Sequence, residues 1–155
     1  MLFKHHYIHL FYYNNWATKE TIQSIILLPE PSDRMISLIS HIIAAQEIWF
    51  NRTIDKKHDV TPWDLYSIDE CSEKSDLITE RWINFLEHTS DDGLDRVIHY
   101  SNTKGDSFEN SVKDVLTHVI NHSIYHRAQI ALLVKEAGGK PAVTDYIVYA
   151  RSISS

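Results

Sequence analysis

Side chains at Val112, Val115, Val119, His122, His126, Gln129 and Leu133 alternate three and four residues apart, the a/d spacing of a helix packed in a bundle, yet the middle of this seam is polar. Two imidazoles stand where aliphatic side chains ordinarily sit. Residues four apart on a helix differ by roughly 40° in direction, so both rings project to one side, one turn apart, and can share one ion.

The same period marks three earlier helices. Ile8, Tyr12, Asn15, Ile22 and Ile26 predict a first helix over about 8–27, closed by Pro29 and Pro31, with Asn15 the polar member of its inward stripe. Met35, Leu38, Ile39, Ile42, Ala45 and Trp49 predict a second, capped at Ser32 or Asp33 and running to about Asp55. It is apolar around most of its circumference, which makes it the central helix. Ser67-Ile-Asp-Glu70 has the spacing of a capping box, and Ile78, Trp82 and Phe85 extend a third helix over about 69–87, ended by Asp91-Asp92-Gly93.

Between the second and third helices, Pro62 and its polar neighbours predict a long connection whose Trp63 and Tyr66 are placed to cover the mouth of a pocket. Segments 96–100 and 107–109, flanking Thr103-Lys-Gly-Asp106, predict a short extended ribbon around a turn. Ser111-Val-Lys-Asp114 caps the fourth helix, Gly138-Gly139 and Pro141 stop it, and 144–149 is expected to pack back on the bundle. The expected fold class is all-α: four helices with a long connection between the second and third and a short ribbon before the last helix. It occupies one domain over 1–155.

Composition narrows the function. At 155 residues the chain can close its own core, and 43% apolar with 23% charged residues is ordinary for a folded domain. The formal charge is −6 with no basic cluster, which argues against a nucleic-acid partner. Cys71 has no mate within the chain, so the fold does not depend on an oxidising compartment and a cytoplasmic setting is expected. Met1 to Leu10 lacks the apolar run and cleavage site of a signal peptide, and no apolar run approaches bilayer length, so neither leader nor membrane is expected.

A third imidazole, His41, lies on the line Leu38, His41, Ala45, Ile48 of the most apolar helix. A lone inward histidine is ordinarily held by a hydrogen bond to a core carbonyl or hydroxyl, but three would need three separate partners. His41, His122 and His126 are therefore the candidate ligands of a divalent metal. Zinc is the first choice; nickel, iron and manganese also suit imidazole. Three neutral nitrogens leave a coordination position for water or substrate, which is the stoichiometry of a catalytic site. His118, four residues before His122, offers an equally spaced pair but falls beside the seam, so it is assigned a flanking role or a surface one. Gln129 and Asn15 are candidates for orienting ligands or substrate, or else satisfied buried amides.

No carboxylate falls on the seam. Glu47 is six residues beyond His41, roughly 240° around the helix, and is expected to pair with Arg52 or Arg127. The nucleophile expected of such a site is made on the metal itself, from bound water or an incoming small thiol. Cys71, beside Asp69, Glu70 and Glu73, is expected to be a packed core residue and not that thiol.

At Tyr13-Asn-Asn-Trp16, His41-Ile-Ile-Ala-Ala-Gln-Glu-Ile-Trp49, His118-Val-Ile-Asn-His122-Ser-Ile-Tyr-His126-Arg-Ala-Gln129 and Gly138 to Ile147, the chain resembles the DinB/YfiT-like family of small metal-binding four-helix proteins. The resemblance spans most of the chain and implies an antiparallel four-helix bundle with a long crossover connection and a divalent metal on three histidines, which by motif position fall on His41, His122 and His126. It also implies frequent homodimers and, in some relatives, thiol-dependent transfer to a small electrophile; many members have no known activity. One departure is Ala128, where many members carry glycine after His-Arg, which bears on the shape of a neighbouring pocket. Tyr125 carries a hydroxyl that reaches either that pocket or the surface. The expected function is metal-dependent activation of a small thiol, with metal-dependent hydrolysis or a non-catalytic, metal-stabilised structural or sensing module as alternatives.

Overall fold

The computed structural model describes residues 3–154; Met1 and Leu2, part of the segment considered above for a leader, lie outside it. Four long helices form the body: α1 (Phe3–Ile26), α2 (Asp33–Thr53), α3 (Ile68–Glu87) and α4 (Val112–Glu136), followed by a short α5 (Tyr146–Ile153). The caps are those the sequence called for. Ser32 accepts from the Met35 amide, while Ser67 with Glu70 and Ser111 with Asp114 form reciprocal boxes that satisfy otherwise orphaned N–H groups. Gly138, with φ of 82°, takes the left-handed turn that ends α4.

Residue pairing across the interfaces fixes the directions. Lys4 reaches Glu87, and Lys19 reaches Ser72, so α1 and α3 are antiparallel. His41 meets His126 and Trp49 meets His118, so α2 and α4 are antiparallel too. Ser40 sits by Cys71 and Phe50 by Trp82, which makes α2 and α3 parallel neighbours. Two parallel helices cannot be joined by a tight turn. The 20-residue α3 is about 30 Å long, and residues 54–67, at up to about 3.3 Å each, suffice to climb back along it. This crossover carries Pro62 and Trp63 over the α2–α4 face.

Val97–Ser101 (β1) and Ser107–Ser111 (β2) form the expected antiparallel ribbon, with Val97 opposite Ser111 and Ser101 opposite Ser107. A single 3-10 turn, Asp92–Asp95, precedes it and buries Leu94. The tail does return to the bundle, but as α5: Tyr146 and Tyr149 pack their rings on Tyr13 of α1, 5.3 and 5.7 Å between centroids.

Apolar residues form two clusters, one around Phe11, Phe50, Trp82 and Leu116, the other around Ile25, Leu38, Ile42 and Ile130. The middle turns of the helices carry a belt of buried polar residues: Asn14, Thr18, Gln46, Ser75, Thr79, Ser123 and Arg127. The first helix is rotated from its expected stripe. Tyr12 and Ile26 are about half exposed, whereas Phe11, Tyr13, Asn14, Ala17, Thr18, Thr21, Ile22 and Ile25 are buried. Because α1 packs against α3, α4 and α5, its inward face is broad and no narrow stripe describes it.

Candidate metal centre

His41 comes from the middle of α2, and His122 and His126 from adjacent turns of the antiparallel α4. Each offers a ring nitrogen, and these three atoms all lie within 4.8 Å of one another; His41 Nε2 and His122 Nε2 are 3.0 Å apart. His41 is only 8% exposed, while His122 and His126 are half-buried, so the cluster opens along the α4 side.

Two of the rings have their tautomers fixed from behind. The Pro62 carbonyl can only accept, so His41 Nδ1–H must donate to it, at 2.5 Å, and Nε2 is left bare. Gln129 Oε1 likewise accepts from His126 Nδ1, at 2.7 Å, leaving His126 Nε2 bare. A single N–H on His122 Nε2 could satisfy His41 Nε2 but not also His126. Across a tetrahedral zinc-like ion with bonds of 2.0–2.1 Å, nitrogens stand about 3.3 Å apart, so the 3.0 Å pair needs to part by only a few tenths of an ångström. Bare nitrogens facing one another, each backed by an acceptor on its far side, are the donor set that a soft-to-borderline divalent ion takes. The residues present fit such an ion.

Electrostatics favours the neutral ring at His122 and at His41. Burial, with His126, His41 and His118 adding repulsion, pushes His122 down to about 3. Burial also lowers His41, outweighing the Pro62 hydrogen bond, with further lowering from His126 and Arg34. Neutral imidazole is the form that ligates.

Aromatic rings wall the cluster. Trp63, delivered by the crossover, lies flat on His41 at 3.9 Å between centroids and 10° between planes, with Arg34 over its other environment at 5.6 Å from the ring centre. Tyr125 meets His126 edge-on at 5.1 Å and is itself largely exposed, so its hydroxyl is available at the open side. His118 lies one turn before His122, with rings 5.4 Å apart, and also contacts Trp49 at 5.1 Å. It stands outside the three-nitrogen group, and burial beside Arg52 lowers its pKa.

Other expected partners are placed elsewhere. Asn15 does not face the histidines: its amide donates to Asp76 at 2.9 Å and accepts from Ser75 Oγ at 2.7 Å, tying α1 to α3. Of the two roles open to it by sequence it takes that of the satisfied amide, because α1 turns Asn14 and not Asn15 into the bundle interior. Glu47 pairs with Lys74 at 3.4 Å, not with Arg52 or Arg127, because α3 lies against that side of α2. Tyr66 serves the α2–α3 contact: its backbone N–H donates to Ser40 Oγ, and Lys74 lies over its ring at 4.7 Å. Cys71 is buried against Ser40, where burial raises its thiol pKa, away from the three imidazoles. The Pro62 carbonyl is the feature the sequence did not reveal. Periodicity says nothing about which way a loop carbonyl points; proline in a connection was the nearest signal.

Comparison with known proteins agrees with this architecture. The model of the DinB family matches residues 1–154. The chain is 25% identical to Protein DinB of Bacillus subtilis (strain 168) over 158 aligned positions, covering 90% of this chain and 91% of that protein. Among solved structures it is similar to a DinB-like protein from Bacillus subtilis, with TM-score 0.61, 16% identity and coverage of 89% and 95% of the two chains. A DinB-like protein from Bacillus cereus ATCC 10987 gives TM-score 0.59 at 18% identity, over 82% of this chain and 89% of that one. No helix among the described residues is long and apolar enough to cross a membrane.

Proposed function

The chain belongs to the DinB family, and from that premise we propose that it binds one divalent metal, zinc in the first instance, through His41, His122 and His126 and uses it on a small-molecule thiol. The observation that carries this reading is the pair of back-side acceptors, Pro62 O and Gln129 Oε1, which leave two imidazoles presenting bare Nε2 atoms to the third. A divalent ion at that point supplies Lewis acidity, lowering the pKa of a thiol or water at its remaining position so that a nucleophile exists at neutral pH.

The protein's own contribution is positioning. Pro62 and Gln129 hold the His41 and His126 rings in register, and Trp63 keeps water from the buried flank of His41. The open flank between His122, His126 and Tyr125 is where an electrophile would approach, and the Tyr125 hydroxyl is placed to donate to it. No carboxylate among the described residues belongs to the cluster, so no protein base stands beside the nucleophile; this favours a thiol, which starts from a far lower pKa than water and is the easier of the two for the ion to ionise. The partial exposure of two of the three rings favours a reactive site over a purely structural one, which would be closed.

Cobalt-substituted protein titrated with 2-mercaptoethanol tests the proposal. A saturable change in the cobalt absorption supports thiol activation. A spectrum indifferent to the thiol, with ester hydrolysis intact, would transfer the assignment to water; unfolding on chelation would make the ion structural. A homodimer and a cytoplasmic setting belong to the same proposal. Light scattering of the purified chain checks the dimer.

A further inference from the structure

On the face of α4 turned away from the imidazole cluster lies a second constellation that the metal reading does not use. Arg127 is 3% exposed, and among the described residues no carboxylate forms an ion pair with it. Its Nη1 donates to Asn14 Oδ1 at 2.6 Å and, at 3.4 Å, to Thr18 Oγ1. Nε and Nη2 make no hydrogen bond among the described residues, and Tyr13 stands beside the guanidinium. These two are the donors that share one edge of the guanidinium, the parallel pair that grips both oxygens of a carboxylate. An uncompensated buried cation is costly, so an orphaned edge of this kind calls for a counter-anion.

Arg127 lines a cavity of about 580 Å³ between α1, α4 and the segment leading into α5. Its walls include Ile124, Ala128, Ala131, Ala142 and Val143, and the small alanines are what leave the space open. Tyr13 lies over the guanidinium, 5.6 Å from Cζ to the ring centre, with its hydroxyl donated to the Thr144 carbonyl at 2.6 Å. Nε and Nη2 are themselves shielded from solvent, with the Tyr13 ring and the Thr144 strap beside the guanidinium, so the ligand has to part these to reach them. Asp145, also in the lining, makes no side-chain cap to α5 and leaves the wall carrying one negative charge.

We propose that this cavity binds a small monocarboxylate with an apolar body, its carboxylate on Arg127 Nε and Nη2 and its chain along the alanine wall. One unit of charge balances the single guanidinium, whereas a doubly charged phosphate would be left in excess beside Asp145. The apolar wall accounts for the body of the ligand, and the volume lies in the range of small-molecule sites.

Hexanoate is the probe, titrated calorimetrically into the full chain with hexan-1-ol as the uncharged control. Saturable hexanoate binding at least about tenfold tighter than the alcohol is expected, and Arg127→Gln abolishes that preference. Ala131→Leu, which fills the cavity without touching the charge, weakens hexanoate by about tenfold or more while leaving the thermal midpoint in place, so the test survives if Arg127→Gln does not fold. Binding persists in His122→Ala, which separates this cavity from any carboxylate captured by the metal centre. Loss of hexanoate binding in His122→Ala, or equal binding of acid and alcohol, overturns the proposal. So does tighter hexanoate binding with lowered thermal stability in Asp145→Asn, which would make Asp145 the natural partner of Arg127.

Discussion

The α1–α3 and α2–α4 interfaces are both antiparallel, and both place polar side chains at half-buried depth, yet they resolve them in opposite ways. Between α1 and α3 every polar group named meets its complement: Asn15 donates to Asp76 and accepts from Ser75, while Lys19 sits 2.8 Å from Asp76. Between α2 and α4 the imidazoles are satisfied only on their outer edges, by Pro62 and Gln129, and turn their remaining nitrogens on one another. Polar pairs that close among themselves hold a fold together. Nitrogens left facing each other, with the cost of burial still to be offset, mark a place for something else.

The largest effect expected from breaking the contrast lies on the structural side. Trp82 is fully buried, stacked on Phe11 at 5.2 Å, and Trp82→Ala should cost about 3–5 kcal/mol in urea denaturation. Metal stoichiometry of the folded fraction should not change. On the other side, Gln129→Leu removes the acceptor that fixes the His126 tautomer and should weaken metal binding about 10–100-fold, equivalent to about 1.4–2.8 kcal/mol, read by competition with a chelator. Asn15→Ala should cost about 1–2 kcal/mol of stability and leave metal affinity unchanged, the reverse of the Gln129 result.

Smaller effects sharpen the comparison by pH. In the metal-free chain His122 stays neutral down to about 3, whereas in the unfolded chain it takes a proton near its ordinary 6.5. Between those values the unfolded state binds more protons, so stability is present above about pH 6.5 and is lost as the pH falls. His41 and His118, also lowered by burial, act in the same direction. Denaturation at pH 7 and pH 5 should differ by about 1 kcal/mol from His122, less than the full 1.36 per unit because the ring is only half-buried. His122→Phe should flatten that dependence. The smallest change belongs to Lys19→Ala, at or below about 1 kcal/mol, because its ion pair with Asp76 is partly exposed.

The contrast was only half legible in the sequence. The seam on α4 is strictly periodic and α2 is apolar nearly all round, so the convergence of His41, His122 and His126 was legible from spacing together with the family resemblance, spacing alone leaving His118 and His122 as an equal pair. Caps at Ser67 and Ser111 and the ribbon before α4 were equally local, written into turn residues and capping boxes. The α1 face was not. Its aromatic residues run on several sides because α3, α4 and α5 all need them, and only the packing on α3 decides which of its two roles Asn15 takes. Arg127 is one of two candidate partners for Glu47 by sequence; only the packing of α1 and the C-terminal segment shows that it meets Asn14 and Thr18 and lines a cavity. The Pro62 carbonyl depends on loop conformation, which no periodicity encodes.

Metal content of the purified full chain, measured beside His41→Ala, His122→Ala, His126→Ala and His118→Ala, tests the central claim most directly. One divalent ion per chain in the parent and in His118→Ala, with loss in each of the other three, is the predicted result. Undiminished metal in His41→Ala, His122→Ala and His126→Ala would contradict the account, and loss confined to His118→Ala would place the ion on a different pair of turns.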